Sequence, residues 1–164
     1  MAKTNDAEVI SVPNLLQAKV GGPISQADMH MIEKAEEALK DLRADFGQWL
    51  EEEVGKLEAA AKVVKTAGLA GPEGEELFVR AHDLRGLGST YEFPIVTRLA
   101  GSLTKMIDMQ EKRDKAPLAL ALAHVGAIRA ALSQNIRNDE DAVASELAGE
   151  LEKQSAAFAE PWKD

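Results

Sequence analysis

The sequence feature that most restricts the fold is a long run of apolar residues that recur every three or four positions between residues 32 and 64. This spacing lines up one face of an α-helix, whereas a half-buried strand would need strict alternation. Read as a single helix from the candidate cap Ser25 to Val64, the segment would be about 60 Å long, so Gly47 and Gly55 are candidate points for a bend or for a division into two helices. The members of the run are Ile32, Ala35, Leu39, Leu42, Phe46, Trp49, Leu50, Val54, Leu57, Ala61 and Val64.

Shorter segments with the same spacing follow, and each opens with a helix-start signal. Pro72, Pro94 and Pro117 stand where proline fits the first turn of a helix. Asn138 and the acidic residues after it indicate a further N-terminus. Residues 108–115 read as a charged connection. Because strand-like alternation is essentially absent, we expect an all-α fold.

The composition supports a helical protein with an aliphatic core. The chain has 164 residues, of which 45% are hydrophobic, 29% charged and only 4% aromatic. This length suffices for one domain with a real core. The chain contains no cysteine, which excludes disulfides, thiolate chemistry and cysteine zinc sites.

Charge and hydropathy narrow the possible partners. The net charge of −9, from 28 acidic and 19 basic residues, argues against a general nucleic-acid binder, which presents a basic surface. No run of about 18 apolar residues predicts a membrane span, and the first residues lack the apolar core of a secretory signal. We therefore expect a cytoplasmic protein that does not bind membranes. Residues 1–25, which have no sustained period, predict an irregular N-terminal arm.

One stretch, residues 81–89, carries a pattern that suggests chemistry. His82 is followed three residues later by Arg85 and four residues later by Gly86, so the three share one face of a helix. An imidazole offers a nucleophilic nitrogen, an arginine can hold an anion, and a glycine removes a side chain that would obstruct a partner. Glycine inside a helix costs roughly 0.5–1 kcal/mol relative to alanine, so we expect Gly86 and Gly88 to serve a close approach.

Each histidine also has a simpler interpretation. The helical wheel places His82 about 100° from the apolar Ala81, at the edge of the buried stripe or outside it. Taken alone, such a histidine is more often structural than functional, since histidine is common at intermediate burial. We interpret His30 and His124 in this structural or surface sense. Apart from the adjacent Asp83, no second histidine or carboxylate stands at a metal-ligand spacing, so we expect no metal site.

The surroundings of His82 in the sequence are locally basic. Residues 78–106 contain four cations and two anions, which is a net charge of +2 within an acidic chain. Such a patch suits an acidic partner or a phosphoryl group. Ordinary solvated surface charge explains it equally well when the patch is taken alone.

The run Ala81-His82-Asp83-Leu84-Arg85-Gly86-Leu87-Gly88 resembles the signature of histidine-containing phosphotransfer (HPt) domains. That signature is Ala-His-x-Leu-Lys-Gly, followed by small residues, a short turn and another helix. The resemblance implies an up-down four-helix bundle over residues 26–137, with residues 1–25 as an arm and residues 138–164 as an additional C-terminal amphipathic helix. The sequence departs from the family pattern at Arg85, where lysine is usual, and at Glu92, where the family has a glycine.

The resemblance also implies a function. His82 would accept a phosphoryl group from the phospho-aspartate of a response-regulator receiver domain and pass it to another response regulator. Arg85 would act beside it, and a hybrid histidine kinase would be a further partner. No cofactor is implied for this chain, because the Mg²⁺ would belong to the receiver. The residues implied to bind the receiver are Phe78, Val79, Gly86 and Ser89.

Two other functions are open on the sequence. A helical adaptor could bind a receiver or a kinase without any phosphotransfer, and it would keep the docking face but not the chemistry. Alternatively, the chain could be a dimerising bundle. The apolar residues of 138–164 must cover something, either the end of the bundle or a second chain. Because no glycine-rich phosphate loop is present, we do not expect autophosphorylation from ATP.

Overall fold

The computed structural model describes residues 26–162, apart from the side chains of Ala27, Arg43 and Ala44. Over this range the chain forms six α-helices and no strand, which confirms the all-α prediction. The predicted arm at residues 1–25 lies outside the described residues. The helices are α1 (Gln26–Ala67), α2 (Pro72–Leu87), α3 (Pro94–Ile107), α4 (Gln110–Arg113), α5 (Leu118–Ser133) and α6 (Ala142–Ala159), followed by a 3₁₀ turn at Glu160–Trp162.

The described residues fall into two units, 26–40 and 41–162. In the first unit, the described residues 26–40 are helical, and every described side chain there is exposed. The second unit contains the hydrophobic core. Neither Gly47 nor Gly55 interrupts α1, so the proposed division of this helix is wrong. The buried seam after Gly47 explains why, because its burial outweighs the roughly 1 kcal/mol that one glycine costs a helix.

The core of the second unit is organised around α3. This helix packs against α2, α5 and α6, and nine of its fourteen residues are buried. The buried part of α1 runs from Leu50 to Val64. Before Leu50 the helix is more exposed, and the side chains of Leu42 and Trp49 are 41% and 42% exposed. The sequence period there identifies one face of the helix, but that face is not buried.

The predicted helix starts agree closely with the structure. Pro72 and Pro94 each occupy the first turn of their helix, and Pro117 immediately precedes α5. Asp141 caps α6, because its carboxylate accepts a hydrogen bond from the Ala144 amide at 2.8 Å. Capping side chains of this kind satisfy amides that have no partner inside the helix.

Residues 108–115 are more structured than the predicted charged connection. They contain the short helix α4, in which Lys112 and Arg113 are only 7% and 8% exposed. The Arg113 guanidinium donates to the Ile107 carbonyl at 3.0 Å, and the Lys112 ammonium donates to the Lys105 carbonyl at 3.1 Å. These cations bind the carbonyls left unpaired at the C-terminus of α3. The charged head groups of Lys112 and Arg113 therefore cap the C-terminus of α3 instead of facing water.

The C-terminal helix α6 packs on α3 and α5 within the same chain. It buries Ala148, Leu151 and Ser155, so part of its apolar face covers the core, as one of the two predicted alternatives required. Val143 and Leu147, at the start of the same helix, stay 76% and 46% exposed.

Candidate functional site

The helix α2 turns one side to the core and His82 to solvent. Leu77, Ala81 and Leu84 are fully buried because they recur at the helical period and meet the neighbouring helices. His82 follows Ala81 by about 100° around the helix axis and is exposed, as the helical wheel indicated. The imidazole is therefore reachable by another protein.

Nothing in the described part of the chain occupies the nitrogens of His82. No hydrogen bond or ion pair among the described side chains involves this ring, and its one ring contact is with Phe78, at 6.0 Å between centroids. The ring borders an open groove of about 610 Å³ between α1 and α2, which we call the His82 groove. The groove is lined by Glu53, Lys56, Arg80, His82, Asp83, Gly86 and Leu87.

The four charged residues that line the His82 groove carry no net charge, because Lys56 and Arg80 offset Glu53 and Asp83. Lys56 pairs with Glu53 at 2.6 Å. Arg80 pairs at 2.7 Å with Glu76, which does not line the groove. The positive patch expected from the sequence therefore does not surround His82. Three of the four cations that produced it border a different groove.

Arg85 lies in that second groove. Its aliphatic stem covers Gly101 of α3, where an added Cβ would meet the Arg85 Cδ at 3.7 Å. The structure thus brings His82 and Gly86 together and places Arg85 around the helix from them. Arg85 is exposed, and exposed side chains change rotamer within nanoseconds.

The two glycines of this stretch have different reasons to be glycine. A Cβ added at Gly86 would meet nothing within 4 Å, whereas one at Gly88 would lie 2.7 Å from both the amide nitrogen and Oγ1 of Thr97. The close approach expected from the sequence is therefore internal at Gly88, where α2 meets the start of α3. At Gly86 the fold makes no such demand, and the space next to His82 is open to a partner.

The remaining predicted binding residues lie on both sides of His82 along α2. Phe78 is half-buried and Val79 is 39% exposed, so both offer apolar surface about one turn before His82. Ser89 is exposed, but it belongs to the turn after α2. Its amide and hydroxyl lie 2.7 and 3.0 Å from Thr97 Oγ1.

Glu92 completes that turn in an unusual conformation. Its φ angle is 64°, in the left-handed region that glycine adopts most readily. The Glu92 carboxylate accepts a hydrogen bond from the Arg137 guanidinium at 3.0 Å. At Glu92 the backbone therefore has a conformation that glycine adopts more readily than glutamate does.

No protein-family model, curated protein or solved structure matches this chain. The functional argument accordingly depends on the residues and their geometry. Among residues 26–162, no helix is both long and apolar enough to cross a membrane, and no three metal-ligating side chains cluster together.

His124 has the structural role that the sequence indicated for it. It is fully buried, and its Nδ1 donates to the Leu120 carbonyl at 2.8 Å. Its Nε2 therefore accepts, and it lies 3.0 Å from Ser102 Oγ and 3.3 Å from Ser155 Oγ. Burial lowers the pKa of this imidazole, since the charged form would lose its hydration.

The sequence did not reveal the second groove as a site. It is formed by α3 and α6 and closed on one side by Arg85. Its lining residues extend from Arg85 to Ala159, which are 74 positions apart in the chain, and most are small. The ion pair between Arg98 on α3 and Glu152 on α6 joins residues 54 positions apart in the chain, and no local pattern encodes that contact.

Proposed function

We propose that this chain is a histidine phosphotransfer protein of a cytoplasmic two-component phosphorelay. In this proposal α1, α2, α3 and α5 form an up-down four-helix bundle, and residues 138–164 add a C-terminal helix to it. The observation that carries the proposal is the His82 imidazole, exposed in mid-helix with both nitrogens unengaged among the described residues and with an exposed glycine one turn away.

The transfer step follows from the chemistry of an acyl phosphate. A neutral ring nitrogen of His82 attacks the phosphorus of a receiver phospho-aspartate. The P–O bond breaks as the P–N bond forms, and the aspartate leaves as a carboxylate. Transfer to a second receiver reverses these changes. Such reactions depend mainly on positioning and on neutralising the charge of the phosphoryl oxygens, and the receiver's Mg²⁺ would supply most of that neutralisation.

This chain supplies the nucleophile and the surface on which the receiver docks. The open space over Gly86 admits the rim of a receiver, and Phe78 and Val79 offer apolar contacts beside it. Arg85, after a rotamer change, adds a cation near the phosphoryl group. The charged residues that line the His82 groove cancel each other. Arg85 has no ion-pair partner among the described residues, and we therefore assign to it the role of the cation beside the phosphoryl group.

The proposal is tested by phosphotransfer from ³²P-labelled receiver domains. We expect label on the wild-type chain and on His30→Gln, since His30 is exposed but lies outside the site, and no label on His82→Gln. The label should be acid-labile and alkali-stable, as a phosphoramidate is. Equal labelling of His82→Gln, or a label stable to acid, would contradict the proposal.

A second function, an adaptor that binds a receiver or kinase without phosphotransfer, is favoured by one observation. Arg85 lies away from His82, and the His82 groove has no net positive charge. An adaptor would keep its partner binding in His82→Ala and lose it in Gly86→Glu, which fills the docking space. A relay protein would lose signalling in both variants.

A further inference from the structure

The second groove, between α3 and α6, has the construction of a small-molecule site. Its volume is about 630 Å³, which lies within the range of ligand pockets. Its floor consists of small residues, so no large side chain fills the space. The lining residues that matter here are Arg85, Gly101, Ser102, Lys105, Ala156 and Ala159.

The charge available to a ligand lies at the rim of this groove. The charge of Arg98 is already paired with two carboxylates, because its Nε and Nη2 donate to Glu152 at 2.8 and 2.7 Å and its Nη1 donates to Asp139 at 2.8 Å. Arg85 and Lys105 differ, since neither head group has a hydrogen-bond or ion-pair partner among the described residues. Both are exposed. Two unengaged cations therefore border one cavity of a protein whose net charge is −9.

The floor of the groove determines which part of a ligand faces it. Ser102 and Ser155, 7% and 3% exposed, lie within hydrogen-bonding distance of His124 Nε2. That nitrogen accepts, because Nδ1 already donates to Leu120. Ser102 donates to that nitrogen at 3.0 Å, and the Ser155 hydroxyl also has the Met106 sulfur as an acceptor at 3.8 Å. Both hydroxyl protons thus have acceptors inside the protein. An acidic group would find no free donor at the floor, whereas an uncharged ring would be accommodated.

We propose that this groove binds a small organic anion. Its phosphate, sulfonate or carboxylate group is held at the rim by Arg85 and Lys105. Its uncharged, ring-sized body lies over Gly101, Ala156 and Ala159. The site lies outside the His82 groove and shares only Arg85 with the proposed phosphotransfer site. Binding of the anion does not depend on phosphotransfer.

The test is a titration of the full chain, labelled with ¹⁵N, with three probes. Phenyl phosphate represents the whole ligand, inorganic phosphate represents its acidic group, and benzyl alcohol represents its ring. We expect saturable shifts of the Gly101, Ser102 and Ala156 amides with phenyl phosphate. Each of the other two probes should bind at least about tenfold more weakly, because each lacks one half of the recognition.

Two variants and two controls locate the binding. Ala156→Phe fills the groove from an exposed position and should abolish the shifts, and Lys105→Gln should weaken binding about five- to tenfold. The matched controls are Ala157→Phe, the exposed neighbour that does not line the groove, and Lys153→Gln on the outer side of α6. Both should bind as the wild type does.

Three results would overturn the proposal. They are the absence of saturable shifts with phenyl phosphate, an equal affinity for inorganic phosphate, and wild-type binding in Lys105→Gln together with Ala156→Phe. Circular dichroism establishes that each variant is folded. Should Ala156→Phe fail to fold, the Lys105→Gln titration and the three-probe comparison still decide the matter.

Discussion

The contrast between Gly86 and Gly88 yields a quantitative prediction, because the two glycines lie in one helix stretch and meet opposite surroundings. Alanine at Gly86 contacts nothing within 4 Å, so the substitution removes backbone entropy from the unfolded chain at no steric cost. We expect Gly86→Ala to raise the free energy of unfolding by about 0.5–1 kcal/mol.

Alanine at Gly88 has the opposite effect. Its methyl group would lie 2.7 Å from the Thr97 amide nitrogen and from Oγ1, so the start of α3 must move. Overpacking of this kind costs about 1–3 kcal/mol. The displacement also weakens the hydrogen bonds from Ser89 to Thr97, each worth about 0.5–1.5 kcal/mol. We expect Gly88→Ala to lower the free energy of unfolding by about 2–4 kcal/mol.

Urea unfolding followed by circular dichroism at 222 nm measures both values by linear extrapolation. The reasoning is refuted if Gly86→Ala destabilises the fold, or if Gly88→Ala is neutral. A third measurement links the result to function. If Gly86→Ala stabilises the protein yet slows phosphotransfer from a receiver, the glycine at position 86 serves the partner and not the fold.

Three further predictions concern polar and charged groups that join helices. His124 has a lowered pKa in the folded protein, so the unfolded chain binds its proton first, and stability should fall as the pH drops below about 6.5, by at most about 1.4 kcal/mol per pH unit. The variant His124→Gln should flatten that slope in urea titrations at pH 5–8, and an unchanged slope would exclude His124 as its source. Arg113→Ala should lower the melting temperature, with a loss of about 1–3 kcal/mol, because the Ile107 carbonyl at the end of α3 loses its donor. A melting temperature within 1 °C of wild type, by the roughly 2–4 °C per kcal/mol scale, would exclude this role. A double-mutant cycle of Arg98→Gln and Glu152→Gln should give a coupling of about 0.5–1 kcal/mol that shrinks in 1 M salt, and a coupling independent of salt would show that charge is not its origin.

Helix positions were predictable because helix-start signals are local. A proline in the first turn of a helix, or an aspartate just before that turn, acts on amides a few residues away. Pro94 and Asp141 therefore predict the starts of α3 and α6 without knowledge of the fold. Residues 108–115 show the limit of this approach. The charges of Lys112 and Arg113 suggested a solvated connection, but their partners are carbonyls at the end of α3, and nothing in the local sequence indicates that those carbonyls are within reach.

The candidate site was also predictable only in part. The exposure of His82 follows from the period of Leu77, Ala81 and Leu84, which any sequence reader can count. The side chain of Arg85 is long, and the period alone does not determine which neighbour it contacts. In the structure Gly101 provides the surface that receives it, and this directs Arg85 away from the groove of His82.

The sequence by itself therefore determined that the chain is helical, where most helices begin, and that one histidine of α2 faces outward. These properties depend on periodicity and on capping, which act within about one or two turns of a helix. Only the tertiary structure decided which glycine is required by the fold, where the cations gather, and that a second groove exists between α3 and α6. Those properties depend on contacts between residues tens of positions apart, and such contacts are specified by packing and not by any local pattern.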